Sequence, residues 1–443
     1  MRSYTTSTAT LLFFTILSVF LINCTDTNVQ VEEYGPEVLL AWNEKVMALA
    51  VAEDGLLTLK GLRTTTMMHL AAHDALNSLV PQYRHYSYTA EAVEAHPIAT
   101  AAHALYAIAV TQYPNHKPEL HEALEHCLDA LPKARIGAAK VRGEAAAAKL
   151  LDRRQGDAWN GEAEYTLHPM APGVYAEFNK HSGTPEGFVF GAGWAKAQPF
   201  MLTASDHFRS PPPPEINSPD YTEAFNEVKE VGATESTTRT ADQTHLAAWW
   251  KDFVENSHNR LARDLVLKEQ LNLWEGARAL ALMNMAVYDG YVNVFDNKFH
   301  YNHWRPFTAI RWAAHDDNPD TLPDTAWNNL HQHTYPFPSY PSAHGTASSA
   351  AMRVLATTLG TGDTYAFTMT TPEVDKTGPF SGKLIMDPPT RSFNSFSEAG
   401  WEASISRVYL GIHFRYDSEE GHRLGTTIGE YAVHNFLQPL PQQ

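Results

Sequence analysis

Three separated segments in the C-terminal half of the chain collect residues able to grip an anion: Lys298 to Pro306 (KFHYNHWRP), Tyr340 to His344 (YPSAH) and Ser406 to Asp417 (SRVYLGIHFRYD). They offer Lys298, Arg305 and Arg407 as cations, Ser342 as a hydroxyl, and His344 and His413 as imidazoles. A guanidinium fork meets two oxygens of an oxyanion at once, and an ammonium acts as a movable point charge. The set suits a tetrahedral or trigonal-bipyramidal oxyanion, phosphate or its larger analogue vanadate. Burying such charge unpaired is costly, so the pattern implies a bound anion.

The elements that position these groups follow from spacing. Lys298 and Arg305 are seven residues apart, which predicts one helix face with the two about 10 Å apart along the axis. Pro306 then ends or kinks that helix at Arg305. Pro336, Pro338 and Pro341 keep the chain extended up to Ser342, a natural N-cap for a helix over Ala343 to Leu359. The free N–H groups of Ala343 and His344 would face an anion held there, and His344 could move protons near neutral pH. Arg407 and His413, six residues apart, are expected on one helix, with Asp417 a turn further on. That carboxylate could take the proton on the far nitrogen of His413 and aim the near one at the anion. Any one of these residues alone reads as a snorkelling Lys, a surface Arg or an ordinary cap. Their order carries the weight: K-x6-RP, then PSxH, then SR-x5-H-x3-D.

Around the segments the pattern is helical, and the chain reads as all-α: two packed helical bundles, candidates for an internal duplication, with the oxyanion site in the C-terminal one. Apolar residues recur every third and fourth position over Val38 to Val51, Leu62 to Leu79, Ile98 to Thr111, Leu120 to Leu131 and Ala134 to Leu151. Later helical stretches are expected at Ala241 to Asn256, Leu261 to Val292, Glu398 to Leu410 and Glu420 to Phe436. Four prolines, Pro211 to Pro214, favour an extended spacer and mark a boundary. It separates an N-terminal helical domain at residues 34–210 from a C-terminal one at 215–443. Met68 to Ala75 (MHLAAHDA) echoes Met283 to Gly290 (MNMAVYDG), each an apolar helix bearing an Asp near its end.

With 443 residues and 44% hydrophobic content the chain can bury a large core. Its net charge of -17 disfavours a nucleic-acid partner. Residues 1–23 read as a signal peptide, with Arg2 ahead of an apolar run from Leu11 to Ile22 that is short for a membrane span. The run closes on Leu21-Ile22-Asn23-Cys24, which resembles a bacterial lipobox, although Asn23 departs from the usual small residue. Export is therefore expected, to the periplasm or outer surface through a lipid on Cys24, or otherwise by secretion. Residues 24–33 would be a tether, the only link to a membrane. Cys127, the other cysteine, is expected as an apolar thiol in a helix.

In their order and surroundings, the motifs resemble the vanadium-dependent haloperoxidases within the type-2 phosphatidic acid phosphatase superfamily. HWRPFTAIR, NPDTLPDTAW, YPFPSYPSAHGT and SRVYLGIHFRYD carry the likeness. The resemblance implies a vanadate cofactor, with phosphate able to occupy the same place. It makes His413 the axial ligand of vanadium and gives the equatorial oxygens to Lys298, Arg305, Ser342, Arg407 and the N–H of Ala343. His344 becomes the acid-base residue, and Lys298 polarises the activated peroxide. Ala343 departs from the usual Gly of PSGH, keeping the N–H but adding a methyl.

Implied substrates are hydrogen peroxide, a halide (iodide or bromide favoured) and an organic acceptor. Trp304 and Phe337 match the aromatic surroundings of the haloperoxidases. The same residues would serve an acid phosphatase in which His413 attacks a phosphomonoester, or a silent surface protein that only binds an oxyanion. No oligomeric state is indicated. His69 and His73, one turn apart, form a weaker metal candidate. His300, His303, His331 and His333 flank the site in sequence, and Asp252 and Asp289 are candidates to pair with an active-site arginine.

Overall fold

Amphipathic spacing produces long helices whose apolar faces meet side by side. In the computed structural model, which describes residues 29–53, 59–161, 163–176, 179–184, 188–379 and 381–441, the first half supplies α1 (Glu37–Glu53), α2 (Leu59–Asn77), α3 (Pro97–Gln112), α4 (Lys117–Leu128) and α5 (Ile136–Arg153). A short α6 (Asn179–Ser182) lies in the following irregular stretch. Beyond the prolines come α7 (Pro219–Val231), α8 (Ala241–Trp249), α9 (Val254–Lys268), α10 (Leu273–Tyr301) and α11 (Pro306–Trp312). The chain closes with α12 (Ala343–Thr358), α13 (Phe396–Tyr409) and α14 (Arg415–Asn435). The leader expected at 1–23, and Cys24, lie outside the described residues.

Two helical expectations are corrected by local chemistry. The stretch from Ala241 stops at Trp249, and residues 250–253 run irregularly before α9. The long helix from Leu261 to Val292 is two: Asn272 accepts from the N–H groups of Trp274 and Glu275 at 3.0 and 3.1 Å, while Glu275 bonds back to the Asn272 N–H at 3.0 Å. That capping box restarts the helix at Leu273. Between α12 and α13 a small β insert departs from pure helix. In it β1 (Thr364–Thr370) runs antiparallel to a later strand at Thr390–Ser395, with Phe367 opposite Phe393, and a hairpin joins Glu373–Asp375 to Lys383–Ile385.

One packing pattern occurs twice. α2 packs on α3 and α5, and α3 on α4 and α5; α10 packs on α12 and α14, and α12 on α13 and α14. α2 and α10 face each other and join the bundles, and Val31–Gln443 form one compact unit. At the junction Asn43 of α1 donates to Asn259 of α9 at 2.8 Å. Each also reaches the next helix: Asn43 lies 3.1 Å from His69 Nε2, and Asn259 donates to Asn284 at 2.9 Å.

The echoed aspartates share a device. Asp74 accepts from the backbone N–H groups of Tyr86, Ser87 and Tyr88 at 2.8, 2.7 and 2.8 Å. Asp289 accepts from those of Phe200, Met201 and Leu202 at 2.6, 2.7 and 2.9 Å. Asp289 thus tethers a loop instead of pairing with an active-site arginine. His69 and His73 are likewise absorbed into packing, His73 Nε2 lying 3.2 Å from the Arg84 carbonyl. Cys127 is half-buried and free.

The site bundle is drawn tight by a glycine stripe on α14. A Cβ at Gly421, Gly425 or Gly429 would meet Ser342 O at 2.5 Å, Thr346 O at 2.1 Å or the Arg353 Cβ at 2.7 Å. The absent side chains let α14 lie directly on the start of α12, where the anion-binding turn is expected.

Candidate active site

Seven residues separate Lys298 from Arg305, but they do not share a helix. α10 ends at Tyr301, Asn302 turns left-handed (φ 48°), and the chain runs extended to Arg305, the N-cap of α11. In extended backbone successive side chains point to opposite sides. Arg305 is fully buried toward His413, while Trp304 goes the other way, its ring 6.4 Å from Tyr221 and 6.2 Å from Trp312. The aromatic surroundings expected of Trp304 are therefore corrected: it belongs to the core cluster under α7 and α11 and does not line the cavity.

Arg407 and His413 do not share a helix either. α13 stops at Tyr409, Gly411 reverses the chain at φ 80°, and His413 sits in the link ahead of α14. Gly411 is needed there twice, because a Cβ would also meet Gly232 O at 2.3 Å. Asp417 lies in the first turn of α14, where it caps the helix by accepting from the Phe414 N–H at 3.1 Å. The same Oδ2 accepts from His413 Nδ1 at 2.9 Å and from the Ser339 hydroxyl.

That bond sets the chemistry of His413. With Nδ1 carrying the proton toward Asp417, Nε2 presents its lone pair, and Arg305 Nη1 lies 3.1 Å from it. Burial, followed by the charges of Arg305, Lys298 and Arg407, holds the His413 pKa well below the usual imidazole value, so the ring is neutral. Burial raises Asp417 to about 6, against the lowering pull of Ser339, Lys298 and Arg305.

The cations are held by carbonyls. Arg305 Nε donates to Phe337 O and Nη1 to Ile412 O, both at 2.9 Å, and Arg407 Nη1 donates to Trp250 O at 2.9 Å. Lys298, fully buried, donates to the carbonyls of Pro338, Ser339 and Pro341. Burial and then Arg305 pull its pKa well down, and Asp417 opposes them. Three carbonyl acceptors match the three N–H bonds of an ammonium and favour the charged form. Ser342 caps α12 by accepting from the Gly345 N–H at 3.3 Å, and Thr346 N–H takes the Ser342 carbonyl. Ala343 and His344 supply the two remaining first-turn N–H groups.

A cavity of about 50 Å³ opens on this cluster, room for a small oxyanion or a few waters. His413, Arg407, His344, Ala343 and Phe337 line it. Lys298, Arg305, Ser342 and Asp417 are absent from its lining and stand behind those groups. Three buried nitrogens close to it, Arg305 Nη2, Arg407 Nε and His344 Nε2, have no protein partner. Buried polar atoms are nearly always satisfied, so the two guanidinium nitrogens are left as donors to a ligand and His344 Nε2 as a proton-exchanging nitrogen beside them. Burial, then Arg407 and His258, keep His344 well below the usual imidazole pKa.

The remaining walls were not foreseen in the sequence. Phe253, Val254, Tyr291, Phe295, Tyr335 and Ile412 make them largely aromatic, and Lys251 and Asp252 add charge. Asp252 pairs with Arg260 at 2.6 Å, not with Arg305 or Arg407. The Ser339 hydroxyl, 3.3 Å from His413 Nδ1, was also missed. Only its place in the PSYPS run signalled it. Of the flanking histidines, His303 bonds the Tyr416 hydroxyl at 2.7 Å, and His331 and His333 lie against Tyr335, outside the cavity lining.

Known proteins resemble this chain in sequence and fold. The family model of the VCPO second helical-bundle domain matches residues 278–441, the region that carries every group bonded to His413. Vanadium chloroperoxidase of Curvularia inaequalis is 25% identical over 297 residues, 55% of this chain and 49% of that protein. Over its C-terminal bundle, the chain is similar to the vanadium haloperoxidases. The match spans about half the length of that curated relative. The fold likeness is wider. A bacterial vanadium-dependent iodoperoxidase superposes with a TM-score of 0.75 at 22% identity, covering 93% of this chain and 99% of its own. A bacterial vanadium-dependent chloroperoxidase in its holo form gives 0.59 at 17% identity, covering 84% and 90%. Both bundles thus follow the haloperoxidase fold.

Proposed function

We propose that the chain is a vanadate-dependent haloperoxidase that oxidises a halide, iodide or bromide favoured, with hydrogen peroxide. One proton, one halide and one peroxide give hypohalous acid and water; the halide loses two electrons as the O–O bond breaks. The observation that carries this reading is the neutral His413, its Nδ1–H on Asp417 and its Nε2 lone pair beside Arg305, next to three unpartnered buried nitrogens.

The donor set fits vanadate. His413 Nε2 would be the ligand, and Arg305, Arg407, Ser342 and the Ala343 N–H would hold oxygens, while Lys298, its three N–H bonds taken by carbonyls, would add positive charge from behind. When bound, vanadate supplies a Lewis acid that activates hydrogen peroxide at constant oxidation state. The protein's own part is positional and protonic: Asp417 fixes the His413 tautomer, the guanidiniums neutralise anionic charge, and the neutral His344 can accept a proton from peroxide through Nε2. The aromatic walls exclude water. They also favour this reading over a phosphatase, whose polar substrate gains little from Phe253, Phe295 and Phe337. Export through the leader, with a lipid on Cys24, is part of the same proposal and is supported by Arg2 and the Leu11 to Ile22 run.

The test is direct. Protein stripped of bound anions and reloaded with orthovanadate is expected to oxidise iodide or bromide with peroxide, and His413→Ala to lose vanadate retention. Brisk phosphomonoester cleavage with no vanadate-dependent halide oxidation would replace the reading with the phosphatase.

A further inference from the structure

Lys251 is a cation that the oxyanion cradle does not use. It lies in the irregular link between α8 and α9, outside all three anion-binding segments, and its side chain lines the cavity beside His344, Arg407 and His413. Its ammonium donates to a neutral acceptor, the backbone carbonyl of Asp375 in the β insert. The neighbouring carboxylates are engaged by other cations: Asp252 by Arg260 at 2.6 Å and Asp375 by Lys383 at 2.8 Å. The link is anchored at several points. Trp250 O takes Arg407 at 2.9 Å, Trp249 Nε1 donates to Pro389 O at 2.8 Å, and Arg260 donates to Thr370 O at 2.8 Å. Lys251 is therefore a positioned charge at the cavity with aromatic side chains around it.

Resting on the haloperoxidase reading, we propose that Lys251 binds the halide, holding it between its ammonium and the side chains of Phe253 and Phe295 before it is oxidised. A large, weakly hydrated halide loses little on leaving water for such a wall, whereas a single positive charge there supplies attraction and steering. The oxyanion and the halide then have separate cations. Arg407, Arg305 and Lys298 serve the first, and Lys251 serves the second.

The experiment uses full-length protein loaded with orthovanadate, comparing wild type, Lys251→Met and Lys251→Arg. Lys251→Met is expected to raise the KM for iodide and bromide about tenfold, with kcat within about twofold and vanadate content per chain unchanged; Lys251→Arg should recover most of the KM. Crystals soaked in bromide should show an anomalous peak in contact with Lys251 Nζ in wild type, absent in Lys251→Met. An unchanged halide KM in a vanadate-replete Lys251→Met enzyme would overturn the assignment, as would a bromide peak that survives the substitution. Failure of wild type to oxidise any halide sinks the functional reading instead, and the bromide peak then decides the Lys251 site by itself.

Discussion

The carboxylate of Asp417 and the imidazole of His413 meet at 2.9 Å across a helix start, not along a helix. Asp417 is already committed to the Phe414 N–H as the cap of α14, so its position is fixed by backbone, and it fixes the ring in turn. Asp417→Asn can donate to Nδ1 through its amide and so present the wrong tautomer. Orthovanadate affinity, read by equilibrium dialysis or vanadium NMR, is expected to fall about 10- to 100-fold, the usual cost of losing such an orienting partner. Retention equal to wild type would show that the carboxylate does not set the His413 tautomer.

Stability should fall in mild acid. Burial depresses His69 and His303 to about 3 and His258 to about 4. Below about 6.5 the unfolded chain binds protons at these rings that the native state refuses, so ∂ΔG/∂pH is positive. Asp289 and Asp417, each raised to about 6 by burial, act in the opposite sense between about 6 and 4. His73, His331, His333, His344 and His413 are also held below the usual imidazole range by burial, so the histidines outweigh the two carboxylates and stability falls from pH 7 to 5, most steeply just below about 6.5. Urea midpoints at half-unit pH steps check this, and a midpoint that rises toward pH 5 would contradict it.

The sequence made the residue types of the cradle legible but not their geometry. Arg305 and Lys298 looked like a helical pair because 298–305 reads as two turns, yet Asn302 takes a left-handed φ and breaks the helix first. Gly411 does the same between Arg407 and His413. Long apolar helices such as α2 and α3 were readable because periodicity is a local property. The cavity wall was not, since Lys251, Tyr291 and Tyr335 meet only through tertiary packing. Nor was Trp304, whose direction depends on one residue of extended backbone.

Removing Asp289 should cost far more than a surface charge. Its carboxylate is fully buried and satisfies three successive N–H groups at Phe200 to Leu202. Asp289→Ala leaves those donors without acceptors, and a loss of about 3–5 kcal/mol is expected from chemical denaturation. Asp74→Ala should behave alike, because Asp74 does the same for Tyr86 to Tyr88. A loss below about 1 kcal/mol in both would mean that water replaces the carboxylates.

Gly425 tests how tightly the anion-binding turn depends on the helix beneath it. A Cβ there would stand 2.1 Å from Thr346 O and 3.0 Å from Ala350 N, both backbone atoms of α12 that no rotamer change can move. Gly425→Ala must therefore push α14 away from α12, at a cost of about 1–3 kcal/mol or more for overpacking. Because Ser342 begins α12 and Asp417 begins α14, joined by the Ser342 N–H to Asp417 O bond at 2.9 Å, the displacement should reach the site. Vanadate affinity is expected to drop along with the denaturation midpoint. Gly137→Ala is the control, since a Cβ there meets nothing within 4 Å and alanine is the better helix former by about 1 kcal/mol. Equal behaviour of the two variants would mean that α14 yields without disturbing the His413 end.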